Sequence, residues 1–93
     1  MKKSLVLSPL VLKQVRARPE PERIAAVLAL LELGAVFGNP HLHTGVGIRK
    51  LTANIFECRA GLGSRFIFQG TKDSLVLVFF GAHDEVRRWL RAR

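Results

Sequence analysis

The fold of this chain is constrained most by a change of hydrophobic periodicity at Gly38-Asn39-Pro40. Before this point, proline and glycine bound two segments that have the composition of helices. After it, apolar and polar residues alternate with the period of two that is typical of strands. Helices therefore come early in the chain and most strands come late, a segregation that predicts an α+β fold.

The first half predicts a strand followed by a helical hairpin. Residues 3–7 have the composition of a short strand. Ser8-Pro9 is a helix-start signal, because serine caps free amide groups and proline fits the first helical position, so we expect a helix over residues 10–17. Pro19-Glu20-Pro21-Glu22 starts a second helix with two carboxylates at its positive end. We expect this helix to end near Phe37.

The second half predicts three strands and a closing helix. The expected strands cover residues 55–60, 65–68 and 75–80, and the helix covers residues 84–91. Glycine-rich turns separate the strands, which favours an antiparallel meander. The third strand is a continuous apolar run, as expected for a strand covered on both faces. We therefore predict one domain over residues 1–93, with an N-terminal strand, a helical hairpin, a three-stranded antiparallel meander and a short C-terminal helix.

Charge indicates the class of partner. Fifteen Lys and Arg against seven Asp and Glu give a net charge of +8, and nine of the fifteen cations lie between Arg49 and Arg93. Such a positive excess points toward a polyanion or an acidic protein partner. Cys58 is the only cysteine, which excludes a disulfide scaffold and a cysteine-based zinc site.

Hydropathy predicts a soluble cytoplasmic protein that does not enter a membrane. The longest apolar run covers residues 24–31 and is far shorter than the about 20 residues needed to span a bilayer. The N-terminus resembles the start of a signal peptide, but Pro9 and Lys13 follow without a small-residue cleavage site. We therefore expect no export.

Strand alternation predicts a candidate site on one face of the sheet. Phe56, Cys58, Phe66 and Phe68 are expected to face the hairpin, and Cys58 is then a small buried hydrophobe. The opposite face carries Glu57, Arg59 and Arg65, near Arg49, Lys50 and His83. Such a set binds an RNA phosphate, stabilises added charge on it and moves a proton. The alternative is a solvated face with weak cross-strand pairs, which alternation alone favours.

Three other features have two interpretations each. His83 is either a general acid or base or a strand-end residue before a helix. His41-x-His43 offers a metal two nitrogens, but no third ligand is near in sequence, which favours ordinary loop histidines. In the closing helix, Val86 and Leu90 are expected inward with Arg87 and Arg88 outward, as a nucleic-acid contact or as a solubilising end.

The second helix is unusually apolar, since Glu32 is its only charged residue between Ile24 and Phe37. A helix with one solvated side normally carries more polar residues. Either the fold buries it deeply or part of it stays exposed for a protein partner or for self-association. The residues considered for such exposure are Ala26, Leu30, Leu33 and Phe37.

Four short segments, taken in order, resemble a known family. They are Gly47-Ile48-Arg49-Lys50-Leu51, Ile55-Phe56-Glu57-Cys58-Arg59, Ser64-Arg65-Phe66-Ile67-Phe68 and Val78-Phe79-Phe80-Gly81-Ala82-His83-Asp84-Glu85-Val86. The order and spacing resemble the RelE/ParE toxin superfamily of type II toxin–antitoxin systems. The pattern of that family runs from K-L before the second strand, through Y-E-x-R and Y-R, to a closing G-H-x-x-x-V/A-Y.

The resemblance implies a small toxin with helices on one sheet face, a basic groove on the other, and an antitoxin that covers this groove. RelE-like members are mRNA interferases. They cleave mRNA on the ribosome without metal or cofactor and inhibit translation, through attack of a 2′-hydroxyl on the adjacent phosphate. ParE-like members inhibit DNA gyrase without nuclease activity. An inactive remnant that binds only its antitoxin is a third alternative, and the assembly is either a homodimer or a toxin–antitoxin hetero-oligomer.

Family positions carry over residue by residue. Arg65 matches a phosphate-contacting arginine of the nucleases, whereas Arg59 and Glu57 match positions that supply a cation or a carboxylate base. His83 lies where several nucleases place an arginine or histidine. These four are the candidate catalytic residues, and the candidate RNA-binding residues are Arg49, Lys50, Arg87 and Arg88. The chain contains no tyrosine, which rules out the tyrosine-dependent form of the mechanism.

Overall fold

The structure is a computed structural model that describes residues 3–38 and 47–92. His41 and His43 lie outside the described residues. The elements are β1 (Ser4–Leu7), α1 (Pro9–Arg16), α2 (Glu20–Val36), β2 (Arg49–Lys50), β3 (Ile55–Ala60), β4 (Ser64–Gly70), β5 (Ser74–Ala82) and α3 (His83–Arg91). The predicted α+β class and order of elements are confirmed. No helix in the described ranges is long and apolar enough to cross a membrane.

The five strands form one sheet in the order β1-β5-β4-β3-β2. β1 pairs with β5 in parallel, and β2 to β5 pair antiparallel with their sequence neighbours. The predicted meander is therefore present, with β1 added at one edge. The other edge holds β2, which is absent from the predicted strands because two residues are too few to show a periodicity.

The helical hairpin begins as its capping residues predict. Ser8 Oγ accepts a hydrogen bond from Val11 N–H at 3.2 Å, and Pro9 occupies the first turn of α1. In α2, Glu20 and Glu22 lie in the first turn, where carboxylates interact favourably with the helix dipole. The hairpin packs on one face of the sheet, against a core that includes Phe66, Phe68 and Phe80.

A β-bulge in β5 explains its continuous apolar run. Ile67 of β4 lies opposite Phe79, but Phe68 lies opposite Leu77, so β5 has one extra residue, Val78. Leu77 and Phe80 pack in the core under the hairpin, whereas Val78 and Phe79 pack on the other face. The bulge therefore shifts the alternation, and both faces of this strand are apolar.

The face opposite the hairpin is only partly covered, by α3. Val86 of α3 is buried against Ile55 and Ile67, and Trp89 stacks on Phe79 with ring centroids 5.3 Å apart. Val86 and Leu90 are inward, as predicted. The remainder of this face, over parts of β2, β3 and β4, forms the open surface described below.

The exposed side of α2 differs from the prediction. Ala26 and Leu33 are fully buried, and Leu30 and Phe37 are partly buried against the core. The exposed large apolar side chains of this helix are instead Ile24, Val27, Leu28 and Leu31. In a helix that is apolar on nearly every side, the sequence pattern does not fix which side packs on the sheet.

The Glu85 carboxylate fastens the start of α3 to the hairpin. Its Oε1 accepts a hydrogen bond from Ala82 N–H at 2.8 Å and pairs with Arg18 Nη2 at 2.7 Å. Gly81 leaves space for this carboxylate, since a Cβ there would lie 3.1 Å from Glu85 Oε1. The Ala82 hydrogen bond, followed by Arg18, lowers the pKa of Glu85 below its usual value.

We expect Glu85→Gln to lower the free energy of unfolding at pH 7 by about 0.5–1 kcal/mol, a small value because the side chain is 43% exposed and solvent screens its charge. A lowered pKa stabilises the fold above the pKa of the unfolded chain, and this contribution is lost as the pH falls through the folded pKa. The difference in free energy of unfolding between wild type and variant should therefore vanish in acid. Urea denaturation of both proteins, at pH 7 and at pH values below the pKa of Glu85, measures this difference.

The control is Asp84→Asn, which removes a carboxylate from the same helical turn but touches neither of the two Glu85 contacts. It should change stability less than Glu85→Gln at pH 7. Equal effects of both variants, or a Glu85→Gln effect that persists in acid, would show that these contacts do not stabilise the fold.

Candidate functional site

An open cleft of about 320 Å³ lies on the sheet face opposite the hairpin. It is built from the end of the segment before β2, from β2 itself, and from the facing halves of β3 and β4. Its described lining consists of Gly47, Ile48, Arg49, Glu57, Arg59 and Arg65. Strand alternation thus brings together the carboxylate and the guanidiniums that the sequence analysis placed on one face.

Glu57 is the buried centre of the cleft. Only 4% of the residue is exposed, yet its Oε1 accepts from Arg65 Nη1 at 2.9 Å and pairs with Arg49 Nη2 at 3.0 Å. The strand register produces this geometry, because Arg49 lies directly opposite Glu57 in the β2–β3 pair. A buried carboxylate is tolerated only when charged or polar partners compensate its lost hydration. Arg49 and Arg65 are those partners.

Arg59 gives the cleft its outward positive charge. It lies directly opposite Arg65 in the β3–β4 pair and is exposed. Within the described residues, no ion pair engages Arg59, whereas Glu57 holds the other two guanidiniums. Three guanidiniums and one carboxylate leave two positive charges in the cleft. An anion that enters the cleft would relieve the repulsion between the facing arginines.

Gly47 positions the Arg59 side chain. Its φ of +69° is in the left-handed region, which favours glycine. A Cβ at this position would lie 2.9 Å from Arg59 Cγ and would also overlap Arg59 Nε. The stem of Arg59 therefore lies against the bare Cα of Gly47. Nothing in the sequence indicates this contact between the residue before β2 and a residue of β3.

Two predicted members of the site lie away from it. Lys50 faces Phe56 across β2 and β3, and residues directly opposite each other share a face. Phe56 stacks on Phe68 on the hairpin side of the sheet, so the expectation that Lys50 shares the groove with Arg49 is wrong. His83 is exposed at the first position of α3 and is not among the described residues that line the cleft.

The remaining predicted cations form a separate surface on α3. Arg87 and Arg88 are exposed and, with Asp84 and Arg91, line an open pocket of about 380 Å³. None of these four residues lines the Glu57 cleft. Arg87 and Arg88 therefore face outward, as predicted, but they lie on a surface separate from the cleft.

Cys58 is a buried hydrophobe, as predicted. It is 1% exposed, on the core side of β3. Burial raises the pKa of its thiol to about 12. Because the thiolate is the nucleophilic form, Cys58 is inert at neutral pH.

We expect Gly47→Ala to displace the Arg59 side chain and to cost about 1–2 kcal/mol of stability from the strained backbone. Gly38→Ala is the matched control, because Gly38 also has a positive φ, +98°, but open space around an added Cβ. Arginine Nε–Hε NMR signals report the displacement. The Arg59 signal should shift in Gly47→Ala and stay unchanged in Gly38→Ala, and an unshifted Arg59 signal in Gly47→Ala would contradict the positioning role.

Comparison with known proteins identifies the fold. No protein-family model and no curated protein sequence matches the chain. A chain of the archaeal RelE–RelB complex from Pyrococcus horikoshii OT3 matches with a TM-score of 0.71 at 14% identity, over 88% of this chain and 96% of that one. A chain of the toxin–antitoxin complex RelBE2 from Mycobacterium tuberculosis matches with a TM-score of 0.58 at 17% identity, over 89% and 100%.

A copper-bound mutant toxin from Helicobacter pylori also matches, with a TM-score of 0.55 at 17% identity, over 92% of this chain and 99% of that one. At such identities the similarity concerns the fold. The chain therefore has the RelE-like toxin fold that its four sequence segments predict.

Proposed function

We propose that this protein is the toxin of a type II toxin–antitoxin pair and that it cleaves mRNA on the ribosome without a metal. The observation that carries the proposal is the cleft in which Arg49, Arg59 and Arg65 surround the buried Glu57 carboxylate. Preorganised guanidiniums of this kind stabilise the charge that builds on a phosphate during cleavage. The RelE-like fold agrees with this role.

In the proposed reaction, the RNA 2′-oxygen bonds to the adjacent phosphorus and the bond from phosphorus to the 5′-oxygen breaks. The products are a 2′,3′-cyclic phosphate and a 5′-hydroxyl. Arg59 contacts the phosphate first, because it is exposed and has no ion pair in the described part of the chain. Glu57 accepts the 2′-hydroxyl proton once the phosphate draws Arg65 away from it. We assign His83 as the donor of the proton that the leaving 5′-oxygen takes up. This role requires the bound RNA to extend from the cleft to the start of α3, where His83 lies.

Binding without cleavage is the second candidate function, and one contact favours it. Glu57 Oε1 already receives two charge-assisted interactions, from Arg49 and Arg65. An oxygen that already accepts from two guanidiniums must lose one of these contacts before it can contact a substrate hydroxyl. In this alternative the cleft binds an acidic protein surface, as a gyrase inhibitor of the ParE type or as a remnant that retains only antitoxin binding.

The proposed antitoxin partner follows from the same charges. Two of the structures with this fold are complexes with an antitoxin, RelE–RelB and RelBE2. For this chain we propose that an acidic segment of the partner enters the cleft and competes with RNA for Arg59. Such a segment would neutralise the two excess positive charges that the described cleft residues carry.

Arg59→Ala is the sharpest test of the nuclease. Arg59 is exposed, so its removal should change stability by no more than about 0.5 kcal/mol. We expect cleavage to fall by roughly 100- to 1000-fold, as for the loss of one preorganised donor. Arg59→Lys should restore little, since lysine lacks the planar two-pronged contact with phosphate. Primer extension on mRNA from a translation reaction measures the cleavage.

The control is Lys72→Ala, which removes one exposed positive charge from the β4–β5 turn, outside the cleft. It should leave cleavage at the wild-type rate. Arg65→Ala is a poorer choice, because it also removes a partner of the buried Glu57 and mixes activity with stability. Intact mRNA with the wild-type protein would transfer the proposal to the binding module, whereas equal cleavage by wild type and Arg59→Ala would show that Arg59 takes no part in the cleavage.

Association with the antitoxin should depend on salt. If the cleft charges steer the encounter, the association rate should fall by about tenfold between ionic strengths of about 0.01 M and about 0.15 M. Stopped-flow mixing with the partner measures this rate. Arg59→Ala should weaken the salt dependence more than Lys72→Ala, although both remove one charge. A salt-independent rate would show that charge does not steer the encounter.

A further inference from the structure

The outer side of α2 carries an exposed apolar stripe. Ile24, Val27, Leu28 and Leu31 are spaced at i, i+3, i+4 and i+7, which places them on one side of the helix. Their exposed fractions are 53%, 53%, 54% and 66%. The stripe borders a shallow pocket of about 260 Å³ between its first residues and Arg23. None of these four side chains belongs to the described core cluster between the hairpin and the sheet.

We propose that the stripe is a dimerisation surface whose occupant is the α2 stripe of a second copy of this chain. Two helices of seventeen residues that pack along this side bury on the order of 1,000 Å² in total, at the lower limit for specific interfaces. The dimer is therefore weak, and the fraction of chains in the dimer rises with protein concentration. This proposal is independent of the chemistry proposed for the cleft, which lies on the other face of the sheet.

Charge favours a second copy on this side of the molecule. The chain as a whole carries +8, so two copies repel each other over most of their surfaces. Helix α2 is an exception, because its three carboxylates, Glu20, Glu22 and Glu32, outnumber its single cation, Arg23. Two copies that approach through α2 therefore keep their cationic surfaces apart. A nucleic acid, in contrast, would be repelled from this helix.

The spacing of the stripe suits a two-fold axis. When two copies of α2 pack antiparallel about a point between Val27 and Leu28, Ile24 of each copy meets Leu31 of the other. Leu28 then lies beside its own equivalent, as the self-complementary interface of a two-fold dimer requires. All four apolar side chains of each copy are covered in this arrangement.

Cysteine cross-linking tests the axis. Leu28→Cys should form an interchain disulfide under mild oxidation about tenfold faster than Thr52→Cys, because the dimer holds its two thiols at a high effective concentration. Thr52 is the control, since it is exposed in the β2–β3 turn and lines an open pocket with Leu90 of α3, on the sheet face opposite the hairpin. The native Cys58 is buried and stays silent. Equal cross-linking rates for the two variants would overturn the proposed axis.

Sedimentation tests the dimer itself. With increasing concentration, the wild-type mass should rise from 10.4 kDa toward twice that value. Leu28→Asp should remain monomeric with an unchanged melting temperature, whereas Thr52→Asp, on the other face of the sheet, should associate like the wild type. A wild type that stays monomeric, or a Leu28→Asp variant that still associates, would overturn the proposal. Both outcomes leave the cleft and its mRNA cleavage untouched, so the two proposals fail separately.

Discussion

The two faces of the sheet are covered unequally by helices. The hairpin face carries α1, with eight residues, and α2, with seventeen, whereas α3, with nine residues, is the only described helix on the opposite face. A helix of this length spans about 14 Å, and a nine-residue strand such as β5 spans about 30 Å. Apolar side chains on the uncovered part would form an exposed patch. The strands therefore change from Ile55 and Ile67 under α3 to Glu57, Arg59 and Arg65 beyond it.

Glu57 makes this charged surface stable. Without it, Arg49 and Arg65 would converge with Arg59 in a half-buried cleft without a counter-charge. With it, two guanidiniums are held in fixed positions at 2.9 and 3.0 Å from one oxygen, and the third points outward. An incoming anion then meets arginines that are already ordered, which lowers the entropic cost of binding. The same contacts oblige the anion to compete with Glu57, so the proposed proton transfer to Glu57 depends on anion binding.

The sequence predicted the faces of β3 and β4 because a period of two leaves only two assignments, and Phe66 and Phe68 identify the core face. It failed where no period exists or where two assignments look alike. The strand β2 is too short to show alternation, so Lys50 was assigned to the groove, on the wrong face. The helix α2 is apolar on nearly every side, so its exposed stripe could not be located. The contact of Gly47 with Arg59 joins residues that are distant in sequence, and only the three-dimensional register reveals it.

The proposed dimer and the proposed chemistry use opposite sides of the molecule, and this fixes how they interact. In a pair joined through α2, each cleft lies on the far side of its own sheet. Two sheet-to-helix layers and one helix-to-helix contact separate the clefts by roughly 30 Å. Neighbouring nucleotides of one strand cannot reach across that distance, so in the proposed reaction each cleft would act on its own RNA segment. Dimerisation would then leave the rate of cleavage per chain unchanged. Its effect falls on the antitoxin, because a partner with two acidic segments gains from binding both clefts at once.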